Sequence, residues 1–250
     1  MKLAQAEWRI GHEDIGRFTG KAAARVAIGA LPMASDVLVP QALARLLEQQ
    51  PGVVATVADG TYEALLHQLR HGELDLMVGP LRGPQAAADV DEQALFVDRL
   101  VAVVGTQHPL LQRSRRPSLA TLTRWPWIAP LPETPAMAAF ERSFTAAGRP
   151  LPPIELHANS PAVVHAMLRA GKHAALLSPL QIRAEVEAGV LTPLPLPLAG
   201  TERSIGLTLR RNGMSSQTAL ALIDALREVA AQAVAVGPGT RRQRSPTPRT

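Results

Sequence analysis

Between Arg25 and Gly79 the apolar positions alternate between continuous runs and a helical period, which predicts strand, helix, strand, helix, strand. Arg25 to Leu31 (RVAIGAL) is apolar and partly β-branched, as a strand buried on both faces of a parallel sheet should be. After a turn at Pro32, Ser35 and Asp36 are N-cap candidates for a helix carrying Leu38, Val39, Ala42, Leu43, Leu46 and Leu47. Pro40 falls in its first turn, where a missing N–H costs little. Val53 to Val57 is the second strand, and Asp59-Gly60-Thr61 reads as turn and cap. Leu65, Leu66 and Leu69 stripe the next helix, Gly72 ends it, and Leu74 to Gly79 (LDLMVG) is the third strand. Two successive crossovers of this length imply a parallel sheet with right-handed connections, in which ligands collect at the carboxyl ends of the strands.

The remainder continues the alternation. Pro80 to Asp91 is a loop rich in breakers, and Ala94 to Gly105 (ALFVDRLVAVVG) is extended. His108-Pro109-Leu110 opens a basic loop, Ser118 caps a short turn, and Trp125 to Pro130 is a strand. Ala136 to Ala147 reads as an amphipathic helix, Ile154 to Ala158 as a strand, and Ala162 to Ala170 as a helix announced by Asn159-Ser160-Pro161. Ala174 to Ser178, Leu180 to Ala188, Leu191 to Leu196 and Arg203 to Arg210 follow as strand, helix, strand, strand. A long final helix buries Leu222, Ile223, Leu226 and Val229.

The ordered set resembles the effector-binding domain of LysR-type transcriptional regulators. The matching stretches are Gly29 to Pro32, Leu38 to Pro40, Asp59 to Leu66, and Leu69 with Gly72 to Gly79. Leu100 to Val104, His108-Pro109-Leu110, Pro126-Trp127-Ile128, Phe144 to Gly148, Ala174 to Leu177, Gly189 to Leu194 and Ile205 to Arg210 follow in the same order. The resemblance covers roughly residues 22 to 232. It implies an α/β fold of two Rossmann-like lobes joined by two crossover strands, similar to type 2 periplasmic binding proteins. Residues 22–98 with 205–232 would form lobe I and 99–204 lobe II. Residues 1–20 look like the remnant of the family's linker helix, with no room before them for a helix-turn-helix. DNA would then be met only through a domain absent from these residues. The resemblance further implies a homodimer or tetramer, with the helix Asp36 to Gln49 as the candidate dimer face.

With 250 residues, 46% of them hydrophobic, the chain can bury one large core or two modest ones. It has no cysteine, which excludes disulfides, thiolate metal sites and a cysteine nucleophile. No apolar run reaches the 18 or so residues of a membrane span, and the N-terminus lacks the apolar core of a secretory signal, so a cytoplasmic protein with no membrane partner is expected. The net charge of +5 suggests nucleic acid until it is located. Arg241, Arg242, Arg244 and Arg249 lie in a Gly/Pro/Ser/Thr-rich tail, 237–250, without an acid. That tail is expected to be disordered, and the remainder is nearly neutral.

Two lobes on two crossovers make a cleft, the expected site. Its walls would be Met33, Ala34 and Ser35 after the first strand, whose amides can bind a carboxylate, and Gly60 and Thr61 at the next helix start. Leu81 and Arg82 follow the third strand; across the cleft stand Leu131, Thr134, Asn159, Ser160 and Ser178. Helix capping is the ordinary role for Ser35, Thr61 and Ser160, and a solvated loop charge the ordinary role for Arg82. Met33 occupies a position where the family usually has a small polar residue, which suits a ligand with an apolar part.

Catalytic patterns are weak. His67 and His71 stand at i and i+4, but Gln68 replaces the glutamate of H-E-x-x-H and no third ligand is evident. Gly16 to Lys21 is one residue short of a phosphate loop and continues with Ala22. No G-x-S-x-G elbow exists, and His157 beside Asn159 and Ser160 reads as a strand-end histidine. The expectation is a ligand-sensing module, not an enzyme, that takes a small organic effector, a carboxylate on the resemblance, with no cofactor and no metal. A solute receptor for a transporter and an enzyme such as a deaminase or dehydratase are the alternatives on the same fold.

Overall fold

The structure is a computed structural model that describes residues 24–113 and 117–235. The expected linker helix and basic tail lie outside the described residues. Two five-stranded sheets organise the chain. The first begins with β1 (Arg25–Ala30), α1 (Pro32–Asp36), α2 (Leu38–Gln49), β2 (Val54–Asp59), α3 (Tyr62–Arg70) and β3 (Leu76–Pro80). β1 pairs in parallel with both β2 and β3, as continuous apolar runs require. β4 (Val90–Arg99) carries the chain out of this sheet.

The second sheet contains β5 (Val101–Gly105), β6 (Trp127–Ala129), β7 (Ile154–His157), β8 (Ala174–Leu177) and β9 (Leu191–Pro193). Between them lie α4 (Pro109–Arg113), α5 (Leu119–Leu122), α6 (Pro135–Thr145), α7 (Pro161–Arg169) and α8 (Arg183–Glu187). β10 (Glu202–Arg210) returns to the first sheet, and α9 (Gln217–Ala235) closes the described chain. The strand orders are β2-β1-β3-β10-β4 and β7-β6-β8-β5-β9. Both sheets are mixed: β10 runs antiparallel between β3 and β4, and β5 antiparallel between β8 and β9.

Period-two alternation builds the cores. In β1, Val26, Ile28 and Ala30 face α2 and α9, while Ala27 faces the cluster of Leu65, Leu69, Leu74 and Met77 beneath α3. In β6, Trp127 and Ala129 point to the Phe140–Phe144 side and Ile128 to the Val164–Leu168 side. Trp127 meets Phe140 and Phe144 edge-on, with centroids 5.4 and 5.2 Å away, and its indole N–H donates to the Leu122 carbonyl.

The helix expected after Ser35 and Asp36 begins at Leu38, with Val37 as an N-cap that makes no side-chain bond, and a separate short helix, α1, begins at Pro32 after Leu31. Ser35 and Asp36 lie inside the short α1. Val37, at φ −134° and ψ −54°, separates α1 from α2. Pro40 accounts for the break, since it has no N–H for the Asp36 carbonyl and its ring would collide with that carbonyl in one continuous helix. The apolar side of α2 also proves largely covered within the chain. Leu38, Val39, Ala42 and Leu46 are buried against α9, and Arg45 binds Glu228 and Gln232 on that helix. Leu47, 43% exposed, is the large apolar side chain α2 leaves to solvent.

Candidate functional site

A cavity of about 450 Å³ lies between the two sheets. Three helices of nine or more residues begin at it. The α3 N-cap, Thr61, accepts the Ala64 N–H at 3.3 Å. The α6 N-cap, Thr134, accepts the Met137 N–H at 3.1 Å and donates its hydroxyl to the Leu131 carbonyl at 2.7 Å. α7 follows Ser160, whose side chain makes no capping bond. First-turn amides have no carbonyl partner inside their own helix, so these ends present donors and positive dipole ends to the space between the sheets. Pro135 and Pro161 hold the N1 positions of α6 and α7, where no donor is lost.

Of the residues expected at the site, Met33, Gly60, Thr61, Arg82, Leu131, Thr134 and Asn159 line this cavity. Ala34, Ser35, Leu81, Ser160 and Ser178 do not. Ala34 is fully buried in the first core. The Ser35 hydroxyl donates to Asp59. Leu81 continues from β3 and its N–H donates to the Ser204 carbonyl. Ser178 is fully buried, and its hydroxyl donates to Asp98 at 2.8 Å. Among the other histidines weighed, His157 donates Nδ1–H to the Pro130 carbonyl at 2.8 Å, and the His67 and His71 rings stand 4.1 Å apart on an exposed face. Among the described residues no three His, Cys, Asp or Glu side chains group as a metal site.

Sequence reasoning missed Tyr62, Glu63, Gln181 and Arg203, all of which line the cavity. Arg203 pairs with Asp98, its neighbour across β10 and β4, through Nε and Nη2, each 2.9 Å from Oδ2. Asp98 therefore holds both crossover strands and Ser178, at the end of β8, in one buried network. The available signal was one acid, Asp98, in the first extended crossover segment and Arg203 at the start of the second. Gln181 donates Nε2–H to Asp36 at 3.0 Å, linking the α1 side to the second sheet. Burial pushes the Asp36 carboxyl above the usual carboxylate range, partly offset by the Gln181 bond and by His165.

Arg82 stacks over the Tyr62 ring at 4.1 Å and reaches Glu63 at 3.2 Å. Its main-chain N–H and that of Gly83 both donate to Glu92, at 2.9 and 2.8 Å. The Tyr62 hydroxyl oxygen is shielded from solvent without a hydrogen-bond partner, and burial together with Glu92 raises its pKa. Ile128, Ala129, Leu131, Val164, Ala175, Leu176 and Leu177 form an apolar wall opposite. The cavity can thus hold a small molecule with an apolar body and polar ends.

Residues 19–231 match the family described as LysR substrate binding domain. The chain is 30% identical to the HTH-type transcriptional regulator GalR of Pseudomonas putida over 229 residues, 92% of this chain and 57% of that protein. It is 30% identical to the HTH-type transcriptional regulator PcaQ of Agrobacterium fabrum over 223 residues, 88% of this chain and 70% of that protein. Among solved structures, the regulatory domain of CcmR from Synechocystis, in complex with 2-PG, superposes with a TM-score of 0.70 at 18% identity, over 83% of this chain and 97% of that one. The effector binding domain of QuiR, in complex with shikimate, gives 0.69 at 14% identity, over 84% and 99%. At these identities the structural likeness shows the fold.

Proposed function

Because this chain belongs to the LysR substrate-binding-domain family, we propose that it is the effector-sensing part of a transcriptional regulator, without catalytic activity of its own. One observation carries the reading: a cavity of about 450 Å³ is walled by both sheets and fed by the starts of α3, α6 and α7. The effector is a small organic molecule, a carboxylate on this reading, held by Met33, Gly60, Thr61, Leu131, Thr134 and Asn159. CcmR and QuiR, whose solved domains hold 2-PG and shikimate, support a small polar ligand for the fold.

Residues 22–98 with 205–232 and residues 99–204 act as the two lobes. A ligand touching both has different affinity for their closed and open arrangements, and so shifts the balance between them. The chain spans 57% of the length of the Pseudomonas putida relative. Contact with DNA is therefore assigned to other parts of the whole regulator, which works in the cytoplasm as a homodimer or tetramer. No helix among the described residues is long and apolar enough to cross a membrane.

The test is a thermal-shift screen of small organic acids and their neutral analogues on the wild type and on Leu131→Trp, which fills part of the cavity from a half-buried loop position. A ligand at 100 times its Kd stabilises by about 2.7 kcal/mol. The expected result is a set of hits that Leu131→Trp abolishes. Hits that survive the substitution, or an empty screen, would overturn the reading.

A further inference from the structure

Two arginines line the cavity, and they differ in what their charge is already committed to. The Arg203 guanidinium is bound through Nε and Nη2 to Asp98, whose side chain is 4% exposed and cannot turn to water. Drawing Arg203 toward a ligand would strand a buried carboxylate, at a cost that a small ligand cannot recover. Arg82 is the opposite case. Its guanidinium side chain is 15% exposed, but its partner Glu63 is 76% exposed. Glu63 can leave for solvent at little cost to itself, because its carboxylate is already mostly hydrated, and the incoming carboxylate takes its place as the counter-charge of Arg82.

Arg82 is also held in place independently of Glu63. The Glu92 carboxylate clamps the main chain at Arg82 and Gly83, and the Tyr62 ring supports the face of the guanidinium. A stacked guanidinium leaves its edge N–H groups for an anion, and its fork matches a carboxylate in two bonds. Glu63 now occupies that edge through a single contact at 3.2 Å. It also stands in the first turn of α3, so an incoming carboxylate would take over the favourable site that Glu63 holds at the helix start.

Building on the cavity reading above, we propose that Arg82, stacked on Tyr62, is the anion anchor that sets ligand specificity, and that a ligand carboxylate binds by displacing Glu63 from it. The ligand class is a small monocarboxylate with a compact apolar body, aromatic or alicyclic, lying against Ile128, Leu131, Leu176 and Leu177. Glu63 is then an internal competitor, a surrogate carboxylate that keeps Arg82 paired when no ligand is bound.

Benzoate and benzamide, of one shape and different charge, are the probes. Each is titrated up to about 50 mM, reaching past the millimolar Kd of a weak fragment, against the wild type, Arg82→Gln, Glu63→Gln and Leu131→Trp, with the melting temperature and isothermal calorimetry as readouts. Expected are saturable benzoate binding, weakened at least tenfold by Arg82→Gln, and a benzamide affinity that Arg82→Gln leaves unchanged. Glu63→Gln, which removes the competitor, tightens benzoate; a merely structural Arg82–Glu63 pair would not produce that gain. Benzoate binding indifferent to Arg82→Gln, weakened by Glu63→Gln, or absent across the titration overturns the anchor. If benzamide or other screened compounds still bind and Leu131→Trp abolishes them, the anchor alone has failed. Binding that ignores Leu131→Trp means the cavity reading has failed.

Discussion

Replacing Asp98 by alanine removes the acceptor shared by both crossover strands and the end of β8. Asp98 is 5% exposed, receives the Ser178 hydroxyl at 2.8 Å and pairs with Arg203 at 2.9 Å. Alanine leaves a guanidinium that is 15% exposed without its counter-charge and a fully buried hydroxyl without an acceptor. Breaking a buried pair from one side costs about 3–5 kcal/mol, and an orphaned hydroxyl falls within the same loss. For a chain of this size that is a fall of about 6–20 °C in Tm, at about 2–4 °C per kcal/mol. Asp98→Asn keeps one of the two acceptor oxygens and loses the charge, so its cost should be smaller than that of alanine. The double variant Asp98→Ala/Arg203→Met removes both charges and should be more stable than Asp98→Ala alone. Urea unfolding of the wild type, Asp98→Ala, Arg203→Met and the double variant closes the cycle. A loss below about 1 kcal/mol for Asp98→Ala, or a double variant worse than the sum of the singles, would show that the network does not hold the crossovers as argued.

Three further outcomes follow from particular contacts. His108 is fully buried, with Nε2–H donating to the Lys172 carbonyl and Nδ1 accepting the Leu110 N–H, and burial holds its pKa below the ordinary histidine value. Its unfolded form binds a proton more readily, so its contribution is present above about pH 6.5 and is lost as pH falls through the folded pKa; denaturant titrations between pH 7 and 5 should show a shallower acid loss for His108→Phe. A Cβ at Gly105 would stand 2.4 Å from the Leu168 carbonyl oxygen, so Gly105→Ala must push α7 off β5 at about 1–3 kcal/mol, read by thermal unfolding. The raised pKa of Asp36 means that folding favours its protonated form, a contribution lost as pH rises through the folded pKa. Asp36→Asn, which can still accept from Gln181, should therefore gain stability at pH 7 and lose this part of the pH slope; an equal or lower Tm at pH 7 would refute the burial argument.

The strand and helix order was legible because each element's period is a local property. Residues 25–79 show apolar runs where a strand is covered on both faces and a 3.6-residue spacing where a helix is covered on one. Thr61 was readable as a cap for the same reason, since capping acts over three residues and a cap at the carboxyl end of a parallel strand faces the ligand side of the sheet. The break at Val37 was available in Pro40 but needed the observation that a proline at the third helical position still conflicts with the carbonyl four residues earlier.

What only the tertiary structure decided is which polar groups meet. Arg203 and Asp98 are 105 residues apart, Ser178 and Asp98 are 80, and Gln181 and Asp36 are 145. Ser35 and Ser160 carry the same capping signal as Thr61, yet they lie outside the cavity wall, as does Ser178, which binds Asp98 in the Arg203 network instead. Hydrophobic periodicity says which face of an element is buried, because burial on one side repeats with the element's own geometry. It does not say which distant element supplies the partner of a lone charge, because that depends on how two sheets and two crossovers pack together. Elements and the class of fold are therefore written in short-range pattern, whereas the pairing of Arg203, the stacking of Arg82 on Tyr62 and the walls of the cavity arise only from the tertiary packing.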